Sequence, residues 1–182
     1  MRKIVVTMFV SVDGVIEEPH LWIFPFWNDA ITKFKKDELF ATDTLLLGRV
    51  TYDAFAASWP SRKDDTGFAD RMNGLPKVVA STTLGKAEWN NSTIIRKNIP
   101  EEVAALKREP GQDIVVHGSP TLVATLMEHV LVDEYRLLTF PIVLGSGKRL
   151  FAQGSKVSLK LVEAKSFDTG AVLLRYQPEA KK

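Results

Sequence analysis

The chain reads as an α/β layer fold: a mixed, mainly parallel sheet with flanking helices, closed by a C-terminal antiparallel hairpin. Three observations predict it. Short β-branched runs alternate with amphipathic stretches at helical spacing over most of the length. Twice such a run passes straight into a helix through small or polar residues, at Leu47-Gly48-Arg49-Val50-Thr51 and at His117-Gly118-Ser119-Pro120-Thr121. After the second of these helices only strand patterns remain.

Taken in order, Ile4 to Val12 is a buried strand. Asp13 to Phe26 carries Gly14, Pro19, Pro25 and three large aromatics, too irregular for an element and too apolar for an idle loop, so it reads as a functional loop. Trp27 to Ala41 is a helix whose apolar stripe is clear in its first half. Thr44 to Leu47 is a short strand leading into a second helix through Phe55, and Pro60 to Gly74 reads as a long surface connection. Lys77 to Ser81 and Thr93 to Arg96 are strands. Pro100 with Glu101 and Glu102 starts a helix in the way the helix dipole prefers, and Gly111 ends it. Asp113 to His117 is the next strand. Ser119 as N-cap and Pro120 as first helical residue open a helix with Leu122, Val123, Leu126, Met127 and Val130 on its apolar face. Glu134 to Phe140, Ser158 to Ala164 and Ala171 to Tyr176 are strands, the last two antiparallel neighbours around Asp168-Thr169-Gly170, and the tail 178–182 is expected to fray.

Length and composition bound the function. At 182 residues the chain predicts one domain over 1–182, able to bury roughly 70% of its unfolded surface without disulfides or a structural metal. A net charge of +2 is too small for a phosphate-backbone binder, so nucleic acid is not an expected partner. Absence of cysteine removes thiolate zinc sites, redox pairs and cysteine nucleophiles, and His20, His117 and His129 lack metal-ligand spacing, so no metal is expected. The basic-then-apolar N-terminus is interrupted by Ser11, Asp13 and Gly14 before a signal-peptide cleavage site appears, and no run of 18 apolar residues exists. The expected location is the cytoplasm, without membrane contact.

The two strand-to-helix turns are the strongest chemical signal. Unpaired N–H groups at a helix start attract phosphate, and a glycine lets the phosphate approach. Two such turns, one bearing Arg49, suggest a ligand with more than one phosphate. Gly145-Ser146-Gly147-Lys148-Arg149 fails as a P-loop on spacing and reads as a turn that leaves Lys148 and Arg149 available to an anionic substrate. Asp13, at the end of the first strand, and Asp29, in the first turn of the first helix, are the acid/base candidates. Each also has an ordinary reading, as a turn residue and as a dipole partner. His117 and His129 read as a strand-end and a helix-tail residue. No Gly-x-Ser-x-Gly elbow supports a serine hydrolase.

The motif order Ser11-Val12-Asp13-Gly14-Val15-Ile16, Leu47-Gly48-Arg49-Val50-Thr51-Tyr52-Asp53, Lys77-Val78-Val79-Ala80-Ser81-Thr82 and Val116-His117-Gly118-Ser119-Pro120-Thr121-Leu122 resembles the dihydrofolate reductase-like superfamily. Val132-Asp133-Glu134 and the segment Pro141 to Phe151 make it more similar to the C-terminal reductase domain of bifunctional riboflavin-biosynthesis deaminase/reductases. The resemblance spans nearly the whole chain and implies a three-layer fold and NADPH-dependent hydride transfer. Carried over by position, it implies that Gly48, Arg49 and Thr51 hold phosphates, that Ser81, Thr82 and Arg96 serve the adenosine half, and that Gly118, Ser119, Thr121 and Leu122 approach the pyrophosphate. The same carry-over implies that Ile16 would line the nicotinamide. Asp29 falls near the folate enzymes' pterin-binding acid, one residue out of register. His117-Gly118 stands where the family has Gly-Gly, and no deaminase domain is present in this sequence.

The resulting expectation is an NADPH-dependent oxidoreductase acting on a pterin, a folate or an aminopyrimidine. Trp22, Phe24 and Trp27 form a lid on the substrate, or else plug the core. The alternative is a nucleotide-binding regulator that keeps the fold without turnover. A homodimer is expected, from the apolar content of Glu134 to Phe151 and from the resemblance.

Overall fold

A computed structural model describes residues 1–179. Eight strands form one sheet: β1 (Ile4–Ser11), β2 (Thr42–Gly48), β3 (Lys77–Ala80), β4 (Ser92–Ile95), β5 (Asp113–Val116), β6 (Glu134–Phe140), β7 (Leu159–Ser166) and β8 (Val172–Pro178). Their order is β4-β3-β2-β5-β1-β6-β8-β7. Every pairing from β4 to β6 is parallel, and the β6–β8 and β8–β7 pairings are antiparallel. This is the dihydrofolate reductase-like arrangement, mixed and mainly parallel with an antiparallel C-terminal hairpin. The expected fraying of 178–182 falls mostly outside the described residues, although Pro178 itself closes β8.

The helices are α1 (Asp29–Phe40), α2 (Arg49–Ser58), α3 (Phe68–Gly74), α4 (Ile99–Arg108) and α5 (Pro120–Glu128). Alternation along the strands assigns them to two layers. Ile4, Val6, Met8 and Val10 of β1 pack with Val103 of α4 and with Leu122, Val123 and Leu126 of α5, in one continuous cluster that includes Ile114, Val116 and Tyr135. The other face holds two separate clusters. One joins Ile31 of α1 with Trp22, Leu138, Phe140 and Leu173. The second joins Leu39, Tyr52, Met72 and Trp89 with Leu45, Leu47 and Val79 of the sheet.

Several boundaries correct the sequence reading. Residues 60–74 are not all connection, because α3 forms within them. Its start is fixed by Asp64, whose carboxylate accepts N–H bonds from Thr66, Phe68 and Ala69, and that partnership holds the carboxyl far below its usual range. Helix α1 begins two residues later than Trp27, with the Asn28 side chain accepting from Ile31 N at 3.0 Å. Val130 is not on the face of α5: the helix ends at Glu128, and Val130 takes a left-handed φ of 55° with its side chain 67% exposed. The N-cap of α5 is Ser119 as expected, but its hydroxyl makes no capping bond.

Candidate active site

The strand order leaves β5 in the gap between β1 and β2, so the carboxyl ends of β2, β3 and β5 meet at the place where open α/β sheets bind ligands. A cleft of about 250 Å³ opens there. Its walls include Gly48, Arg49 and Val50 at the start of α2, Ile99 at the start of α4, and Ser119 and Thr121 at the start of α5. Ser81, Thr82 and Thr83, beyond β3, complete the rim. Three helix N-termini therefore face one space, and no carboxylate lines it. Helix starts carry unpaired N–H groups and partial positive charge, so the arrangement attracts phosphate.

The two glycines explain how the turns come so close. The Gly48 N–H donates to the Gly118 carbonyl at 3.1 Å. A Cβ on Gly48 would stand 2.5 Å from Ser119 Oγ, and one on Gly118 would stand 2.7 Å from Thr51 Oγ1. Gly118 also has a φ of +134°, where side chains are strained. Gly48, Thr51, Gly118 and Ser119, which are far apart in sequence, thus form one cradle. His117 fits beside it with its side chain on the opposite face of the sheet from Val116.

Seven of the eleven expected cofactor residues line the cleft: Gly48, Arg49, Ser81, Thr82, Ser119, Thr121 and Leu122. Gly118 and Thr51 stand in its floor contact. Arg49 lies exposed and pairs with Asp53 one turn along α2 at 3.2 Å. Ser81 is buried, its Oγ accepting the N–H groups of Thr83 and Leu84, which shapes the loop that Thr82 rides on. Arg96 is not on the cleft wall. Its guanidinium donates to the carbonyls of Leu84 and Gly85, so it braces the same loop from behind. Ile16 lies elsewhere too, half-buried against the α4/α5 core and tied by its N–H to the Lys148 carbonyl at 2.9 Å.

That tie belongs to a clasp between the loop after β1 and the segment after β6. Asp13 accepts Ser11 Oγ at 2.7 Å, Leu144 N at 3.1 Å and Gly145 N at 2.8 Å, and these donors hold its carboxyl down at about 2. It is ionised at neutral pH and fully bonded, which makes it a positioning residue and a poor proton donor. Glu17 accepts Lys148 N and pairs with Lys148 Nζ at 3.2 Å, while Arg149 Nη1 donates to the Asp13 carbonyl. Lys148 and Arg149, expected to be available to an anion, are instead engaged in this clasp.

The aromatic segment divides. Trp22 is 7% exposed, edge-on to Phe140 at 5.8 Å, with its Nε1 donating to the Glu17 carbonyl at 2.9 Å. It is core, the second of the two roles expected for it and not the lid: apolar area beneath α1 claims the indole. Trp27 is half-buried and stacked on Phe140 at 6.5 Å, whereas Phe24 is 65% exposed. Asp29 is exposed in the first turn of α1 and makes no side-chain hydrogen bond among the described residues.

What sequence reasoning missed is a polar seam between the two clusters on the α1–α3 face. Lys35 and Glu38 of α1 are buried against Thr7 of β1, with Lys35 Nζ ion-paired to Glu38 and 3.0 Å from Thr7 Oγ1. Arg136 of β6 reaches Glu38 Oε1 at 3.3 Å and Glu134 at 2.7 Å. His117 stands near, its ring 5.8 Å from that of Phe55 of α2. Burial, reinforced by the Lys35 charge and only partly offset by Glu38, pushes its pKa down to about 3. The available signal was the period of two that sets Asp113, Val115 and His117 on one face.

Against known proteins, residues 2–173 match the family model of the RibD C-terminal domain. The uncharacterized protein YyaP of Bacillus subtilis (strain 168) is 34% identical over 179 residues, which cover 96% of this chain and 94% of YyaP. A candidate riboflavin biosynthesis protein from Shewanella sp. PV-4 superposes with a TM-score of 0.78 at 19% identity, covering 98% of this chain and 99% of that one. Dihydrofolate reductase from Enterococcus faecalis, solved with NADP(H), gives a TM-score of 0.65 at 16% identity, covering 98% of this chain and 97% of that one. The motifs around the cradle, the eight-strand order and the match over nearly the whole length agree: this chain belongs to the RibD C-terminal domain family, a reductase-type family with the dihydrofolate reductase-like fold.

Proposed function

We propose that the chain is an NADPH-dependent reductase of a small nitrogen heterocycle: a pterin, a folate or an aminopyrimidine. The observation that carries this reading is the convergence of three helix N-termini on a cleft without carboxylates. Gly48 and Gly118 let the α2 and α5 starts pack against each other, since a Cβ on either would meet Ser119 or Thr51, and this closeness aims both helix starts at one anionic group such as a pyrophosphate. The NADP(H) bound by the Enterococcus faecalis relative of the fold supports the same cofactor here. When bound, NADPH supplies the hydride. The chain's own residues would hold it: backbone N–H groups at the starts of α2 and α5 would take the phosphates, Arg49 would offer a cation, and Ser81 and Thr82 would serve the adenosine half. The Asp13 clasp fixes the loop that carries Ile16.

Titration of the protein with NADPH, followed by quenching of its four tryptophans, tests the reading. Saturable binding and oxidation of NADPH with one member of a panel of pterins, folates and aminopyrimidines support it. Arg49→Ala should weaken NADPH roughly 10- to 150-fold, the worth of a charged hydrogen bond, and NADH much less. Equal loss for both cofactors would assign Arg49 to the shared pyrophosphate. Loss for neither would remove the cofactor from this cleft.

One observation favours a second reading, a nucleotide-binding protein without turnover: Asp13 is ionised and fully bonded, and Asp29 is exposed. Binding of NADPH without oxidation across the panel would favour it. Asp29→Asn with full activity would leave a bound water as proton source.

A homodimer goes with the enzyme reading. The edge strand β7 has a bulge between Leu161 and Glu163, and Leu161 and Val162 are 51% and 46% exposed. A second copy covering them would bury this face. Sedimentation as a 20 kDa particle at micromolar concentration would refute it. Cytoplasmic location is part of the same proposal, and among the described residues no helix is long and apolar enough to cross a membrane.

A further inference from the structure

We propose that a second cavity, beside the Asp13 clasp, binds a small carboxylate whose apolar body has the size of one ring. The body lies among Val10, Leu137 and Phe151, and the carboxylate meets Arg149. The proposal does not rest on the reductase reading.

The cavity measures about 270 Å³ and is lined by Val10, Gly14, Leu137, Arg149, Leu150 and Phe151. It shares no residue with the cofactor cleft. Alternation along β1 puts Val10 on the α4/α5 face with Ile4, Val6 and Met8, and Leu137 of β6 packs against the same cluster. The aromatic segment and Ile31 of α1 pack on the opposite face, so the sheet separates them from this cavity. No helix residue lines it, and residues 149–151 supply the wall that is not sheet.

Local chemistry builds that wall. Val15 and Arg149 form an antiparallel bridge, and the Ile16 N–H donates to the Lys148 carbonyl, which pins the segment across the loop after β1. Gly14 has a φ of +85°, and a Cβ there would stand 3.3 Å from Arg149 Nη1. Glycine therefore both makes the turn and leaves room for the guanidinium. Leu150 is buried in the core, whereas Phe151 is half-buried with its ring 5.8 Å from that of Tyr135.

Size, polarity and charge select the occupant. An apolar cavity of about 150 Å³ accepts benzene, and pockets for drug-sized ligands begin near 300 Å³, so this one suits a single substituted ring. Every lining side chain except Arg149 is apolar. Arg149 is exposed and forms no ion pair among the described residues, its Nη1 donating to the uncharged Asp13 carbonyl. Neighbouring charges are already matched: Lys148 pairs with Glu17, and the Asp13 carboxylate accepts from Ser11, Leu144 and Gly145. Arg149 is thus the cation of the clasp that lacks a counter-ion, and its planar fork fits a carboxylate at the mouth of an apolar space.

The test uses the whole protein with ¹³C-labelled Val and Leu methyl groups at neutral pH, and two probes of one shape: benzoate and uncharged benzamide. Benzoate should shift the methyl signals of Val10, Leu137 and Leu150, with a Kd of about 1 mM or below, and leave Leu122 of the cofactor cleft unmoved. Benzamide should bind roughly fivefold or more weakly. Arg149→Gln keeps an amide able to donate to the Asp13 carbonyl, and should reduce benzoate to the level of benzamide while changing benzamide less than twofold. Leu137→Trp fills the cavity and should abolish binding of both.

Unmoved Val10, Leu137 and Leu150 signals at millimolar benzoate overturn the proposal. So does equal binding of the two probes, or an Arg149→Gln variant that binds benzoate as the parent does. A dimer that Leu137→Trp dissociates would make the cavity a seat for a second copy of the chain, which also overturns it. Should Arg149→Gln not fold, salt decides with the parent: benzoate binding should weaken as ionic strength rises and benzamide binding should not, and the same response for both overturns the role of Arg149.

Discussion

The two faces of the sheet solve the burial problem differently. On the α4/α5 side, one continuous apolar cluster runs from Ile4 to Leu150, built from alternate residues of β1, β5 and β6 and the stripes of two helices. On the α1–α3 side, the same strands present Thr7, His117, Glu134 and Arg136, and the core splits around them into two clusters. The α4/α5 face is thus an unbroken apolar scaffold, whereas the other face carries a buried polar seam.

The largest effect expected on that contrast comes from the seam's charges. Glu38 is almost fully buried, and although burial pushes its carboxyl up, Lys35 first and then His117 and Arg136 hold it below the usual range. Glu38→Ala leaves Lys35 buried without its partner, while Arg136 keeps Glu134, and should cost about 3–5 kcal/mol of stability in a denaturant melt. An effect below about 1 kcal/mol would mean that water reaches the seam. On the scaffold face, Leu126 of α5 has no exposed surface. Leu126→Ala should cost about 2–5 kcal/mol through lost burial and a residual cavity, with NADPH affinity changed little in the fraction that remains folded.

A pH series sharpens the comparison further. The folded protein disfavours protonation of His117, whose pKa falls from 6.5 to about 3, so between those values the unfolded chain binds more protons. Stability should therefore be complete above pH 6.5 and decline as the pH falls towards 3. His117→Asn should flatten that decline. An unchanged slope would assign the acid sensitivity to other groups.

Local features come last. Asn28→Ala removes the cap of α1 and should cost about 1 kcal/mol, read as a lower denaturant midpoint with an unchanged slope. The exposed pair Lys33–Asp37, at 2.5 Å on the outer side of α1, should contribute no more than about 0.5 kcal/mol. Lys33→Ala would then be close to neutral, and a large loss would show that the outer side of α1 is covered by something.

Particular residues mark how far the sequence was readable. Gly48, Arg49, Gly118 and Ser119 could be picked out because a strand entering a helix through small residues leaves a local signature, and the structure brings both turns to one cleft. Asp64 could not be, since its reach to the N–H groups of Phe68 and Ala69 creates a helix where Gly67 and the preceding acidic residues suggest a loop. Trp22 and Phe24 are equally aromatic and only two positions apart. What separates them is Phe140, more than a hundred residues away, which packs on the first and leaves the second exposed.

By itself, the sequence determined the layer fold, the mainly parallel order of elements with its antiparallel end, and the two strand-to-helix turns that meet at the cleft. Those depend on periodicity, glycine and capping chemistry, all of which act within a few residues. Only the tertiary structure decided that Asp13 and Arg149 are parts of a clasp, that Arg96 braces a loop, and that His117 lies beside the Lys35–Glu38 pair. Each of these depends on a contact across the chain: Leu144 lies 131 positions from the carboxylate it donates to, and Phe55, Lys35 and Glu38 reach His117 from two other elements. Local patterns set which way a side chain points, while what it meets is fixed only once the helices have packed.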